Sequence, residues 1–348
     1  MAAELEGVKV LDFSRLLPGP LCSRYLLDLG AEVTKIEAPI VGDYAKAFPP
    51  LHQGLSKSYC RLNNGKKILE LDLKDPADYQ KVLGLIADTD ILIESFRPGV
   101  MQKLGLDYRQ LKEKFPRLIY CSLTGYGQSG PYRNEPGHDL NYLGLSGVLA
   151  DQNPPAPFPL QVADMAGGSL QALAALTTAL YRREKKKVGC YLDIAMLDGV
   201  LNMTQLLYEE AGPETPHLKN ILSGDQPWYR CYQTSDKKWM ALGTIEKKFW
   251  DNFCTVTEQE ELKEKHFCKS AECPDLIAKL IKLFAQFSQE QWCTLLKGSE
   301  SCCTPVLNWQ QVRENPQIVA RKLIDQEGAI HSFNIRWDRE DNPDSLDE

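Results

Sequence analysis

Several features that would fix a function at once are missing from this 348-residue sequence. There is no Gly-x-x-x-x-Gly-Lys-Ser/Thr loop, and no Gly-x-Gly-x-x-Gly follows the first apolar segment. Nucleotide hydrolysis and a standard dinucleotide fingerprint therefore lose weight. His-Glu-x-x-His and Gly-x-Ser-x-Gly are absent too, which sets aside zinc proteolysis and the serine-hydrolase elbow. Positive charge is not in excess: 40 Lys+Arg against 47 Asp+Glu leave a formal net charge of −7. Nucleic acid is not expected as a partner, because phosphate binding needs a basic footprint. No uncharged apolar run, including the one near Leu173 to Leu180, approaches the roughly 18 residues of a membrane span. No secretory, mitochondrial or peroxisomal signal is recognisable, so a soluble intracellular protein, cytoplasmic by default, is expected. The eleven cysteines show no paired Cys-x-x-Cys spacing, and no metal is expected. Several, such as Cys22, Cys60, Cys121 and Cys190, stand singly among apolar residues, as reduced thiols do in a reducing compartment.

What is present reads as an ordinary globular chain, 43% hydrophobic and 25% charged, with room for about two domains. Val8 to Phe13 reads as a strand, Pro18-Gly19-Pro20 opens a helix, and Gly30 ends it in a C′ position. Glu32 to Glu37, Asp90 to Glu94 and Leu118 to Leu123 are further strands alternating with helical segments. That alternation implies a parallel sheet with right-handed crossovers. A helix over Gly168 to Arg183 and a strand over Val188 to Ile194 follow. Arg182 to Lys187 reads as a solvated helix end. From Trp228 the pattern changes to a hairpin, Trp228 to Thr234 and Trp239 to Gly243 across Ser235-Asp236-Lys237-Lys238. Helical spacing comes after it, with Leu276, Leu280, Leu283, Phe284 and Phe287 on one face. The expected organisation is a large Rossmann-like α/β domain (1–195), a linker (196–227) and a small α+β domain (228–312). A return segment (313–337) and an acidic, disordered tail (338–348) complete it.

Three places carry residue types suited to proton chemistry. His138, in Gly137-His138-Asp139-Leu140-Asn141-Tyr142, follows a Pro-Gly turn and has the side chain whose pKa lies nearest neutrality. A structural histidine at a helix start fits the same pattern. Asp164 sits in an apolar stretch before Gly167-Gly168, where burial raises a carboxyl pKa towards that of a useful base or nucleophile. A helix N-cap accounts for it equally. Glu246 ends the apolar run Leu242-Gly243-Thr244-Ile245, as an exposed strand-end acid also would. Gly125 to Gly130 is a glycine-spaced loop after a strand, a common turn.

Together the pieces resemble the class III CoA-transferase (CaiB/BaiF) family. The resemblance runs through Gly7 to Phe13, Pro18-Gly19-Pro20 and Asp28 to Glu37. It continues through Asn64-Gly65-Lys66-Lys67, Leu71 to Lys74, Glu94 to Gly99 and Ser122 to Gly127, over residues of about 7 to 325. Within the family, Gly137 to Tyr142, Ala163 to Gly168 and Gly243 to Glu246 are most like the α-methylacyl-CoA racemases. The resemblance implies an interlocked homodimer acting on an acyl-CoA thioester without a cofactor. His138 and Asp164 are then acid and base on opposite faces of the α-carbon, and Glu246 arrives from the partner subunit to tune His138. It also implies CoA contacts from Lys35, Lys66, Lys67, Arg97, Gly125, Tyr126, Gly127, Asp139 and Tyr142. Backbone amides at the helix start after Asp164 are candidates to hold the enolate oxygen. The family's Pro-rich segment and Gly-x-His-Thr element do not occur after Trp337. Two alternatives stand beside the racemase: a CoA-transferase with Asp164 as covalent nucleophile, and a catalytically silent acyl-CoA-binding homologue.

Overall fold

A computed structural model describes residues 3–150, 154–205, 222, 224–268 and 273–324. Residues 206–221 and 223 of the expected linker, 325–337 of the return segment and the whole of the expected tail lie outside the described residues. The chain divides into two compact units, one ending at Gln205 and one within Leu206–Ile330.

The first unit is built on a parallel sheet of β1 (Lys9–Asp12), β2 (Glu32–Glu37), β5 (Lys67–Glu70), β6 (Ile91–Glu94), β7 (Ile119–Thr124) and β8 (Cys190–Ala195). A small hairpin, β3 (Leu51–His52) and β4 (Leu55–Ser56), intervenes in the chain. The spatial order is β5-β2-β1-β6-β7-β8, the Rossmann order, with a switch point between β1 and β6. β6 and β7 are buried along their whole length, as strands covered on both faces must be. Two apolar layers do the covering. One contains Leu26, Ile93, Cys121 and Leu176; the other contains Phe13, Ile86, Leu92 and Tyr120. The first helix, Pro18–Asp28, begins with proline at its first position. It ends where Gly30, at φ 99°, lets the amides of Gly30 and Ala31 turn back to Leu27 and Leu26. Met196–Met203, within the expected linker, is helical.

In the second unit β9 (Tyr229–Gln233) and β10 (Trp239–Gly243) pair antiparallel, and β11 (Cys303–Pro305) joins β10. An aromatic core holds the helices against this sheet. The Tyr232 and Phe284 rings stack at 4.8 Å, and Trp250 Nε1 donates to the Leu262 carbonyl at 2.8 Å. Leu276, Leu280, Leu283 and Phe284 are buried as their spacing predicts, whereas Phe287 is exposed because the helix ends at Phe284. Reduced, single thiols are not the whole account, because Cys268 and Cys273 are joined as a disulfide. Among the described residues no helix is long and apolar enough to cross a membrane.

Candidate active site

A cleft of about 1130 Å³ opens where β1, β6 and β7 of the first unit end. Parallel sheets offer ligands this place because the loops diverge at the switch point. Three in-register residues stand at that edge: Glu94 on β6, Ser122 on β7 and Asp193 on β8. Glu94 Oε2 accepts the Phe96 amide at 2.8 Å, and the Asp193 carboxylate accepts the Gln128 amide at 3.1 Å. They anchor the two loops that bring Phe96, Arg97 and Tyr126 to the cleft. Burial pushes the Glu94 carboxyl up to about 7.

The loop after β1 is held from below. Leu16 adopts φ 66°, a conformation costing about 1 kcal/mol for a residue with a side chain. Its amide donates to Asp43 Oδ1 at 3.0 Å. Asp43 in turn pairs with the fully buried Lys35 at 3.2 Å, whose ammonium also donates to the Ser14 carbonyl at 2.6 Å. Lys66 is similarly occupied. Its Nζ donates to Pro20 O and Ser23 Oγ at 2.8 Å and to Asn63 Oδ1 at 3.1 Å, and lies 3.5 Å from Asp12 Oδ2. Burial pulls it down to about 8 despite the attraction of Asp12. Neither lysine lines the cleft; both serve as internal counter-ions. Lys67 is exposed on the edge strand β5 and does not reach the cleft either.

The cations that do line it are Arg15, Arg97 and Arg133. Arg97 was expected; Arg15 and Arg133 were missed. Arg15 had a signal, since a basic residue just past the first strand falls at the switch point of a Rossmann order. Its guanidinium lies 5.5 Å from the Tyr44 ring and 5.2 Å from the Phe96 ring, held for cation–π contact. Arg133 lies in an irregular loop with no comparable pattern.

His138 is the exposed N-cap of the helix Asp139–Leu145 and lines the cleft. Its amide donates to Asn141 Oδ1 at 2.9 Å. The preceding turn is fixed by the Tyr142 hydroxyl, which donates to Gly137 O at 2.7 Å. Gly125 is required here because a Cβ would enter the Tyr142 ring. Gly125, Tyr126 and Tyr142 all line the cleft, whereas Gly127 supplies a turn at φ 78° outside it.

Asp164 also lines the cleft, 6% exposed, in the first turn of a π-helical run, Ala163–Leu170. A wider turn of this kind often marks a functional position. Gly167 lets the run lie against Met196–Met203, since a Cβ would come within 2.7 Å of Met196 O. Burial, then the charge of Asp139, push the Asp164 carboxyl up to about 6, against a 3.0 Å hydrogen bond from Gln161 Nε2. Asp164 does not cap its own helix. The amides of Ala163 and Asp164 are taken by Asp139 Oδ1 at 2.6 and 3.1 Å, and that of Met165 by Gln161 O at 2.9 Å. Of the amides after Asp164 expected to hold an enolate oxygen, that of Met165 is thus already bonded, and Asp139 does not line the cleft. Glu246 belongs to the second unit, exposed at the N-cap of the helix Lys247–Val256. Among the described residues no cluster of His, Cys, Asp and Glu could hold a metal ion.

Fold and cleft define the class first: a Rossmann-type α/β protein whose switch-point cleft combines arginines with a histidine and a buried carboxylic acid. Residues 5–340 match CoA-transferase family III, and the chain belongs to that family of enzymes. It is 34% identical to human alpha-methylacyl-CoA racemase over 88% of this chain and 79% of that protein. It is 30% identical to acetyl-CoA:oxalate CoA-transferase of Acetobacter aceti over 93% of this chain and 86% of that one. A crystal structure of a CaiB/BaiF family protein from Brucella suis superposes with a TM-score of 0.83 at 26% identity, covering 97% of this chain and 93% of the other.

Proposed function

We propose that this protein is an α-methylacyl-CoA racemase, interconverting the two epimers of a 2-methylacyl-CoA thioester. The observation that supports the reading is that His138 and Asp164 line one cleft, an imidazole together with a carboxyl whose proton affinity burial raises. The thioester acidifies the α-hydrogen. The Asp164 carboxylate removes it on one face, and the C–H electron pair moves into an enolate. Protonated His138 then returns a proton to the other face, and the reverse direction exchanges the roles. Such acid–base work is most effective when the two groups have proton affinities near the working pH. Arg15, Arg97 and Arg133 suit the phosphates of CoA, arginine being the side chain fitted to bidentate phosphate contact. The chemistry as written calls on no cofactor. We further propose a homodimer in which Glu246 of the partner subunit serves His138.

The transferase relative motivates the second reading. There the Asp164 carboxylate attacks the thioester carbonyl and releases CoA thiolate, leaving an acyl anhydride on the enzyme. The two readings separate on one epimer of a 2-methylacyl-CoA supplied without any acceptor acid. A racemase yields the other epimer, and His138→Ala lowers that rate about 10²- to 10⁴-fold. A transferase yields no inversion, and hydroxylamine cleaves its Asp164 anhydride to a hydroxamate even in His138→Ala.

A further inference from the structure

Asp139 is 8% exposed, and its side chain faces the protein interior. It is covalently next to His138 and opens the helix that His138 caps. From there its Oδ1 accepts the amides of Ala163 and Asp164, 24 and 25 residues further on. Those are the first amides of the run that carries Asp164, and Val162 before them provides no side-chain cap. One carboxylate oxygen therefore joins the backbone of one cleft group to the backbone of the other. Hydrogen bonds from buried amides to an anion are short and strong, and breaking them leaves two buried donors without a partner.

We propose that Asp139 is a positioning residue that fixes the spacing between His138 and Asp164 by clamping the start of the Asp164 helix to the His138 turn. The role in catalysis rests on the racemase reading; the clamp itself does not. Two effects of the side chain can be separated. As an acceptor it sets geometry, and as an anion it raises the proton affinity of Asp164, which also faces the Gln161 amide and the Tyr142 hydroxyl. Among these neighbours Asp139 alone is a carboxylic acid. Asp139→Asn keeps an acceptor oxygen and removes the charge; Asp139→Ala removes both.

Hydrogen exchange of the peptide spanning Ala163–Leu170 tests the clamp without reference to activity. Exchange of its first amides is expected to rise roughly tenfold or more in Asp139→Ala and to stay within about threefold of wild type in Asp139→Asn. Kinetics then test the consequence. Asp139→Ala is expected to lower kcat for racemisation about 10- to 100-fold, with KM for the acyl-CoA little changed because the side chain does not line the cleft. Asp139→Asn is expected to recover most of that kcat and to shift the acid limb of the pH profile downwards. Unchanged exchange in Asp139→Ala overturns the clamp. Increased exchange with wild-type kcat, or a rise in KM that Asn does not reverse, overturns the positioning role. Inactive wild-type enzyme with the expected exchange pattern contradicts the racemase reading and leaves the clamp standing.

Discussion

Asp164 is pulled in opposite directions by its neighbours. Burial and Asp139 favour the protonated acid, and Gln161 favours the anion, leaving the group at about 6. A base must be ionised to accept a proton. The rate from the epimer whose hydrogen faces Asp164 should therefore fall about tenfold per pH unit below 6 and level off above it. Initial-rate profiles for the two epimers check this, and a flat profile down to about pH 4.5 contradicts it. The sign for stability is opposite. A carboxyl whose folded-state pKa is raised contributes stability that is present below its unfolded pKa and lost as pH rises through about 6. At this scale the sequence marks Asp164 itself, through its apolar setting and the glycines after it. It also suggests, from local pattern, that Asp164 caps its own helix. The cap comes from Asp139, a partner no local pattern can reveal because the pairing exists only once β7 and β8 have brought the two segments together.

At the scale of elements, buried ion pairs hold the loops that shape the cleft. Lys66 bridges the first helix and the segment before β5 through Pro20, Ser23 and Asn63, with Asp12 as its counter-charge. Removing one member of a buried pair leaves the other charge uncompensated. Lys66→Ala should therefore cost about 3–5 kcal/mol in urea-induced unfolding, and a loss below about 1 kcal/mol would show that the pair is not buried in solution. The bounds of β2 were legible from Glu32 to Glu37, because the β-branched residues Val33, Thr34 and Ile36 lie there between a strong C-cap and a turn. The fate of its lysine was not. Lysine is nearly always solvated, so no local pattern spoke against the CoA contacts that the family resemblance implied for Lys35 and Lys66. Arg183 departs in the same way: within a run that reads as a solvated helix end, it is buried and pairs with Asp90 at 2.7 Å.

For the whole molecule, the alternation of strands and helices specifies a Rossmann-like sheet, and a switch point follows from that topology without further information. The cleft forms there because the loops after β1, β6 and β7 separate, and each contributes cleft residues: Arg15, Arg97 and Tyr126. The second unit was legible from its hairpin and its helical spacing, since both periods survive in the folded core. Choosing between proton transfer and group transfer is a matter of how two side chains share one cleft, and family membership alone spans both chemistries. The most direct test is α-proton exchange. One epimer of a 2-methylacyl-CoA is incubated with the protein in D2O, without acceptor acid, and followed by proton NMR. Loss of the α-hydrogen signal with appearance of the deuterated opposite epimer, both dependent on His138 and Asp164, is the predicted result. Retention of the α-hydrogen in a folded, acyl-CoA-binding protein would contradict the account.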